Sequence, residues 1–325
     1  MSAFSIMDLF LFSDFESDDL LATWILLKNG YNLRYIVVGE GQHVGKKANR
    51  VKNYFDTVFK NYERPVILSG EPSQKDFPEN FGFDKTHINE ITIENALSEF
   101  VKNGGQKIVI MKPPREIFNM MCSSPEDSKS LFKQLRCYLY GSFNMKSLDA
   151  TDREFAQFVD LFGELYLYES FFATGPQNNL NPQNFPLIQK LKENSAYAEL
   201  LQKWDDYVIR DCVDTCMELL KKYSLPLELV ETSTLEDKMD EKDFNRYGWN
   251  YKCYVQVLPN AGSQTVLADM GMAVTIDRPQ FYMEANIQFG SLRNTSITFD
   301  ENGKHYVCVS DFDTIVSQIN TVFEE

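Results

Sequence analysis

Histidine is scarce in this 325-residue chain, and cysteine follows no metal-binding pattern. There are three histidines and six cysteines, and no two cysteines form a CxxC pair. Cys212 and Cys216 stand four apart, on one face of a helix. A structural zinc would need two further ligands at suitable spacing, so reduced, buried thiols are expected instead. Positive charge is also short. Lys and Arg number 32 against 47 Asp and Glu, a net charge of −15. Nucleic acids and anionic membranes both need a basic surface, so neither is an expected partner. No apolar run approaches the length of about 20 residues that spans a membrane, and no charged-then-apolar leader opens the chain. A soluble, cytoplasmic protein is the expectation. No repeat, low-complexity segment or domain linker interrupts the chain.

What is present is a globular composition, 43% hydrophobic, with alternating strand and helix patterns. Short apolar runs at Leu9–Phe12, Leu33–Gly39, Pro65–Leu68, Lys107–Met111 and Arg136–Tyr140 read as strands. Between them, Leu20–Lys28, Val44–Tyr62 and Ile93–Asn103 carry apolar residues at helical spacing. Helical patterns open at Ser123-Ser124-Pro125-Glu126 and continue through Leu131–Leu135, then follow over Thr151–Phe162, over Leu187–Tyr223, near Met270 and over Asp311–Phe323. Further strands are expected at Glu164–Phe172, Tyr251–Leu258, Ser296–Phe299 and Tyr306–Val309. The alternation predicts an α/β fold: an open, mostly parallel sheet flanked by helices, with an appended helical portion. Residues 1–325 read as one domain, with a helical insertion over about 173–250.

The chemistry concentrates behind the first strand. Ser13-Asp14-Phe15-Glu16-Ser17-Asp18-Asp19 places four acidic residues within six positions, at the carboxyl end of a strand and the start of a helix. Open α/β sheets bind their ligands there. Two readings stand. Acidic residues cap helices and complement the helix dipole, and Ser13 or Ser17 is a candidate cap. Alternatively, a hard divalent cation offsets the crowded carboxylates.

From the first strand to the last helix the chain resembles the inosine-uridine-preferring nucleoside hydrolases, whose fingerprint DxDPGxDD falls on Phe12–Asp19. Gly41-Gln42 resembles the family's Gly-Asn turn, with Gly39-Glu40 as a rival placement. Lys112-Pro113-Pro114-Arg115-Glu116 resembles its Gly-Pro-Leu-Thr-Asn segment, Gly141-Ser142-Phe143-Asn144 its Glu-Phe-Asn segment, and Ala268-Asp269 its His-Asp pair.

The resemblance implies calcium-dependent hydrolysis of the N-glycosidic bond of a ribonucleoside or related small molecule. It implies Ca²⁺ held by Asp14, Asp19, Asp269 and the main-chain carbonyl of Arg115, with Asp14 activating the attacking water. It implies Asp18, Gln42 and Asn144 on the ribose, and a homo-oligomer, since the family commonly forms dimers or tetramers. His43, His87, Tyr247 and Trp249 are candidates for assisting the leaving base, and ordinary core or surface positions are the other reading of each. The departures are Phe12 for the first Asp, Phe15-Glu16 for Pro-Gly, Ser142 for a Glu and Ala268 for the His. Two functions therefore remain in view: a divergent N-ribohydrolase, or a catalytically inactive relative acting as a binding or structural subunit.

Overall fold

The architecture comes from a computed structural model, which describes residues 7–15, 17–39, 44–72, 89–141, 144–145, 148, 150–169, 179–180, 214–225, 234, 237–240, 265–266, 268–290 and 295–324. The chain divides into two compact units, residues 1–173 with 267–325, and residues 174–266.

In the first unit, strand and helix alternate as the hydrophobic patterns require. β1 (Asp8–Ser13), α1 (Ser17–Lys28), β2 (Asn32–Val38), α2 (Val44–Thr57) and β3 (Val66–Ser69) come first. α3 (Ile93–Lys102), β4 (Lys107–Ile110), α4 (Arg115–Ser123), α5 (Pro125–Phe132) and β5 (Arg136–Tyr140) follow. After α6 (Asp152–Val159) and β6 (Glu164–Tyr168), the second unit supplies β7 (Asn179–Leu180), α7 (Asp214–Tyr223) and β8 (Thr265–Val266). α8 (Ala268–Thr275), β9 (Tyr282–Phe289), β10 (Thr295–Phe299), β11 (His305–Cys308) and α9 (Phe312–Glu324) complete the first unit. In the second unit, β7 and β8 pair antiparallel.

Nine strands form one sheet in the order β10-β9-β11-β6-β5-β4-β1-β2-β3. β11 through β3 are parallel, and β9 and β10 add an antiparallel edge. From β1 the chain moves out through β2 and β3, then returns to the other side of β1 as β4. The strand order thus reverses between β1 and β4. Open parallel sheets leave a crevice outside the carboxyl ends of the strands at such a switch point.

Alternation along β1 divides its residues between two helical layers. Phe10 and Phe12 enter a core with Tyr35, Phe100, Ile108, Ile110 and Phe118, beneath α3 to α6. Ser13 points to the opposite face, where α1, α8 and α9 pack together.

Most elements form where the sequence patterns place them, with three differences. α2 stops at Thr57, before Tyr62, as the N–H of Phe59 turns back to the Tyr54 carbonyl. α4 begins directly behind Pro113-Pro114, which read as a turn; proline is compatible with the residues that open a helix, where no intrahelical N–H is needed. β9 is an additional strand whose Ala285, Ile287 and Phe289 face the core while Glu284, Asn286 and Gln288 are exposed. The expected strand Tyr251–Leu258 lies outside the described residues. Among the described residues, no helix is long and apolar enough to cross a membrane, and Cys122, Cys137 and Cys308 are free thiols.

Candidate functional site at the carboxyl ends of the strands

The turn behind β1 is built by Ser13. Its hydroxyl donates to Asp19 Oδ1 at 2.5 Å and accepts the N–H of Phe15 at 2.9 Å. Phe15 has φ of +56°, a left-handed conformation that costs a non-glycine residue energy and persists only when its surroundings impose it. Two contacts from α2 do so. The Phe15 ring stacks on Tyr54 with centroids 6.1 Å apart. Lys47 Nζ donates to the main-chain oxygen of Asp14 at 2.7 Å.

This turn places two carboxylates at the crevice. Asp14 is 9% exposed and Asp19 is 1% exposed. Among the described residues, no side-chain hydrogen bond or ion pair holds the Asp14 carboxylate. Phe12, standing where the fingerprint has its first Asp, is fully buried and packs on Phe10 at 5.2 Å between ring centroids.

β4, on the other side of the switch point, ends in a pair that sequence reasoning did not single out. Lys112 is fully buried, and its ammonium donates to Glu116 Oε1 at 2.8 Å, Glu116 Oε2 at 2.6 Å and the Pro113 carbonyl at 3.1 Å. Its side chain reaches β2's exit, where a Cβ on Gly39 would stand 2.5 Å from Nζ. Glu116 Oε1 also accepts the N–H of Glu71, behind β3. One ion pair thereby ties the exits of β2, β3 and β4. A buried carboxylate and ammonium satisfy each other only when such hydrogen bonds replace water. Arg115 opens α4, so its carbonyl points down the helix axis toward the N–H four residues on.

The remaining sequence candidates come from β5, β6 and α8. Asn144 is buried at 6% exposure and donates to the Tyr140 carbonyl at 3.4 Å. Asp269, in the first turn of α8, is 4% exposed. Tyr168, the last residue of β6, lies against this turn: a Cβ on Gly271 would be 2.1 Å from its hydroxyl. Burial, followed by the nearby Cys308 thiol and the Asp269 carboxylate, holds the Tyr168 phenol pKa well above its ordinary value. Glu169, immediately behind β6 and only 5% exposed, is a further buried carboxylate absent from the sequence prediction. The only sequence signal for it was an acidic residue inside an expected aromatic strand.

Asp18 lies in the first turn of α1, with its side chain outside the described residues. Gln42, Glu16, Ser142, His43, His87, Tyr247 and Trp249 also lie outside the described residues. The oxygen chemistry of Asp14, Asp19 and Asp269 suits a hard cation. Among the described residues, no group of three or more His, Cys, Asp and Glu is gathered closely enough to hold a metal.

No family profile matches the sequence, and no curated protein matches it. Solved structures do resemble the fold. Effector protein XOO4466 has a TM-score of 0.53 at 10% identity, over 97% of this chain and 93% of its own. Type III effector protein XopQ, in complex with adenosine diphosphate ribose, has a TM-score of 0.54 at 10% identity, over 99% of this chain and 93% of its own. These likenesses, with the mostly parallel nine-stranded sheet and its flanking helices, support the nucleoside-hydrolase-like α/β fold that the sequence resemblance implied.

Proposed function

We propose that the chain binds a ribosyl compound in the crevice at the carboxyl ends of β1 and β4, and that Asp14 makes the decisive contact. The carrying observation is the Asp14 carboxylate, nine-tenths buried at the switch point and unheld by any described side chain. An ionised carboxylate taken from water needs compensation, which ligand hydroxyls or a cation supply. The ADP-ribose complex of the structural neighbour XopQ agrees with a ribosyl ligand.

In the hydrolytic form of this reading, the bond from the anomeric carbon to the base nitrogen breaks as the sugar gains oxocarbenium character. Water adds to that carbon and gives its proton to Asp14, and the departing base takes a proton from solvent. Asp18, Gln42 and Asn144 hold the ribose. The resemblance assigns Ca²⁺ to Asp14, Asp19, Asp269 and the Arg115 carbonyl, but among the described residues the three carboxylates are not gathered closely enough to hold it as they stand, so no step here depends on the metal. A second reading, a non-hydrolytic binding protein, is favoured by Phe12, which gives the fingerprint's first acidic position to the aromatic core.

Calorimetry of the full chain with adenosine, inosine, uridine and ADP-ribose, in Ca²⁺ and in chelator, tests the proposal alongside an assay for free ribose. At least one compound should bind, and Asp14→Asn should weaken it about tenfold or more, since hydrogen bonds to charged groups contribute about 1.5–3 kcal/mol. If none binds, or Asp14→Asn binds equally well, the reading is wrong. Release of ribose by the parent and not by Asp14→Asn selects the hydrolase; binding without release selects the second reading. A heat of Ca²⁺ binding that Asp269→Asn abolishes supports the metal, and its absence removes the metal from the proposal.

A further inference from the structure

Far from this crevice, at the amino ends of β4 and β5, Asp277 holds an unusual position. It stands two residues beyond α8 with φ of +59°, again a left-handed non-glycine residue. Its carboxylate draws donors from three elements. Oδ2 accepts the Tyr31 hydroxyl at 2.8 Å and the Lys107 ammonium. Oδ1 accepts the Tyr138 hydroxyl at 3.0 Å and the Arg136 guanidinium at 3.3 Å. The Asp277 N–H in turn donates to the Tyr138 hydroxyl oxygen at 3.2 Å. Tyr31 also reaches the Ile276 carbonyl at 3.3 Å.

The partners show what this cluster joins. Tyr31 follows α1, Lys107 opens β4, and Arg136 and Tyr138 belong to β5. α1 and α8 lie side by side. Both run from the carboxyl edge, where Asp19 and Asp269 occupy their first turns, to the amino edge, where Tyr31 and Asp277 meet. α8 is short, about 12 Å at 1.5 Å per residue. Its buried side chains are Asp269, Met270, Met272, Ala273, Val274 and Thr275, and the Thr275 hydroxyl and the Tyr282 hydroxyl are hydrogen-bond partners at 2.8 Å. The cluster around Asp277 adds directional polar contacts to this packing at the far end of the helix.

We infer that Asp277 is a positioning residue: it sets the axial register of α1 and α8 against the sheet, and so the placement of Asp19 and Asp269 at the opposite edge. The functional consequence rests on the ligand site proposed above; the register itself does not.

The test uses the full chain with Asp277→Gly, Asp277→Asn and Tyr31→Phe. Glycine keeps the left-handed turn and removes every side-chain contact. Asparagine tolerates the turn and keeps an acceptor for Tyr31. Amide hydrogen exchange is read in the first halves of α1 and α8, with β3 and β11, which bear none of the cluster's side chains, as internal references, and ADP-ribose and adenosine affinities are measured beside it. Asp277→Gly should speed exchange in both helix starts about tenfold while the reference strands stay protected, and should lower probe affinity several-fold. Tyr31→Phe should speed exchange at the start of α1. Asp277→Asn should return both readouts to within about twofold of the parent. Exchange changes confined to residues 275–278, or spread equally over the reference strands, would overturn the inference. If Asp277→Gly fails to fold, Tyr31→Phe and Asp277→Asn decide by the same exchange pattern. If the parent binds neither probe, the ligand reading fails, and exchange still decides the register.

Discussion

The Ser13 hydroxyl, donating to Asp19 while accepting the Phe15 N–H, shows how much of an acidic turn rests on a neutral side chain. From sequence, Ser13 was a candidate helix cap. In the fold it ends β1, and its two bonds run sideways into the turn, fixing a buried carboxylate and a strained backbone together. Ser13→Ala removes both bonds, and leaving buried polar groups unsatisfied costs about 1–3 kcal/mol each. Urea unfolding should show a loss in that range. Unchanged stability would mean that Tyr54 and Lys47 suffice to hold Phe15. Asp14, Asp19 and Asp269 are named through the family resemblance, and the fold adds that all three are buried. The Lys112–Glu116 pair is not named at all, because Lys112-Pro113-Pro114 reads as a turn, and charges at a turn ordinarily face water. Only burial sets this pair apart from such charges.

At the scale of elements, α8 carries the sharpest constraint. Glycine inside a helix ordinarily costs about 0.5–1 kcal/mol relative to alanine, so Gly271→Ala on local grounds should stabilise. The Tyr168 hydroxyl reverses that sign, since the new Cβ would lie 2.1 Å from it. Overpacking of this kind typically costs 1–3 kcal/mol, roughly the loss expected here, and thermal unfolding should show a lower Tm. Adding Tyr168→Phe removes the colliding atom and should recover part of the loss. A Tm raised by Gly271→Ala alone would mean that α8 does not pack this closely on β6. The helical pattern of α8 was visible in the sequence, but the reason for its glycine lies on a strand a hundred residues away.

For the whole molecule, pH is an informative variable. His305, at the start of β11, is 7% exposed, and among the described residues its Nδ1 has no hydrogen-bond partner. Burial lowers its pKa, the Asp160 charge opposes this, and Lys304 and Lys133 add to the lowering. The folded chain therefore binds a proton at His305 more weakly than the unfolded chain does. The resulting stability is present above the unfolded value of about 6.5 and is lost as pH falls through the lower folded value. Acid also relieves the repulsion of a chain carrying −15. The clean measure is thus a comparison. Between pH 7.5 and 5.5, the parent's urea midpoint should fall more than that of His305→Gln. Parallel curves would refute the assignment.

At this largest scale the division of information is clear. Sequence alone determined the α/β alternation, most strand and helix positions, and the acidic turn behind the first strand, because hydrophobic period and spacing are local properties. It did not reveal β9, whose alternation acquires a core face only beside β10 and β11. Tertiary structure alone decided the switch point between β1 and β4, the Lys112–Glu116 tie across three strand exits, and the cluster around Asp277. Each depends on residues brought together by parallel crossovers, and such contacts carry no local pattern. Net charge and spacing could mark where carboxylates accumulate. Only the fold could show that Asp14 is buried there and that Phe12 has joined the core.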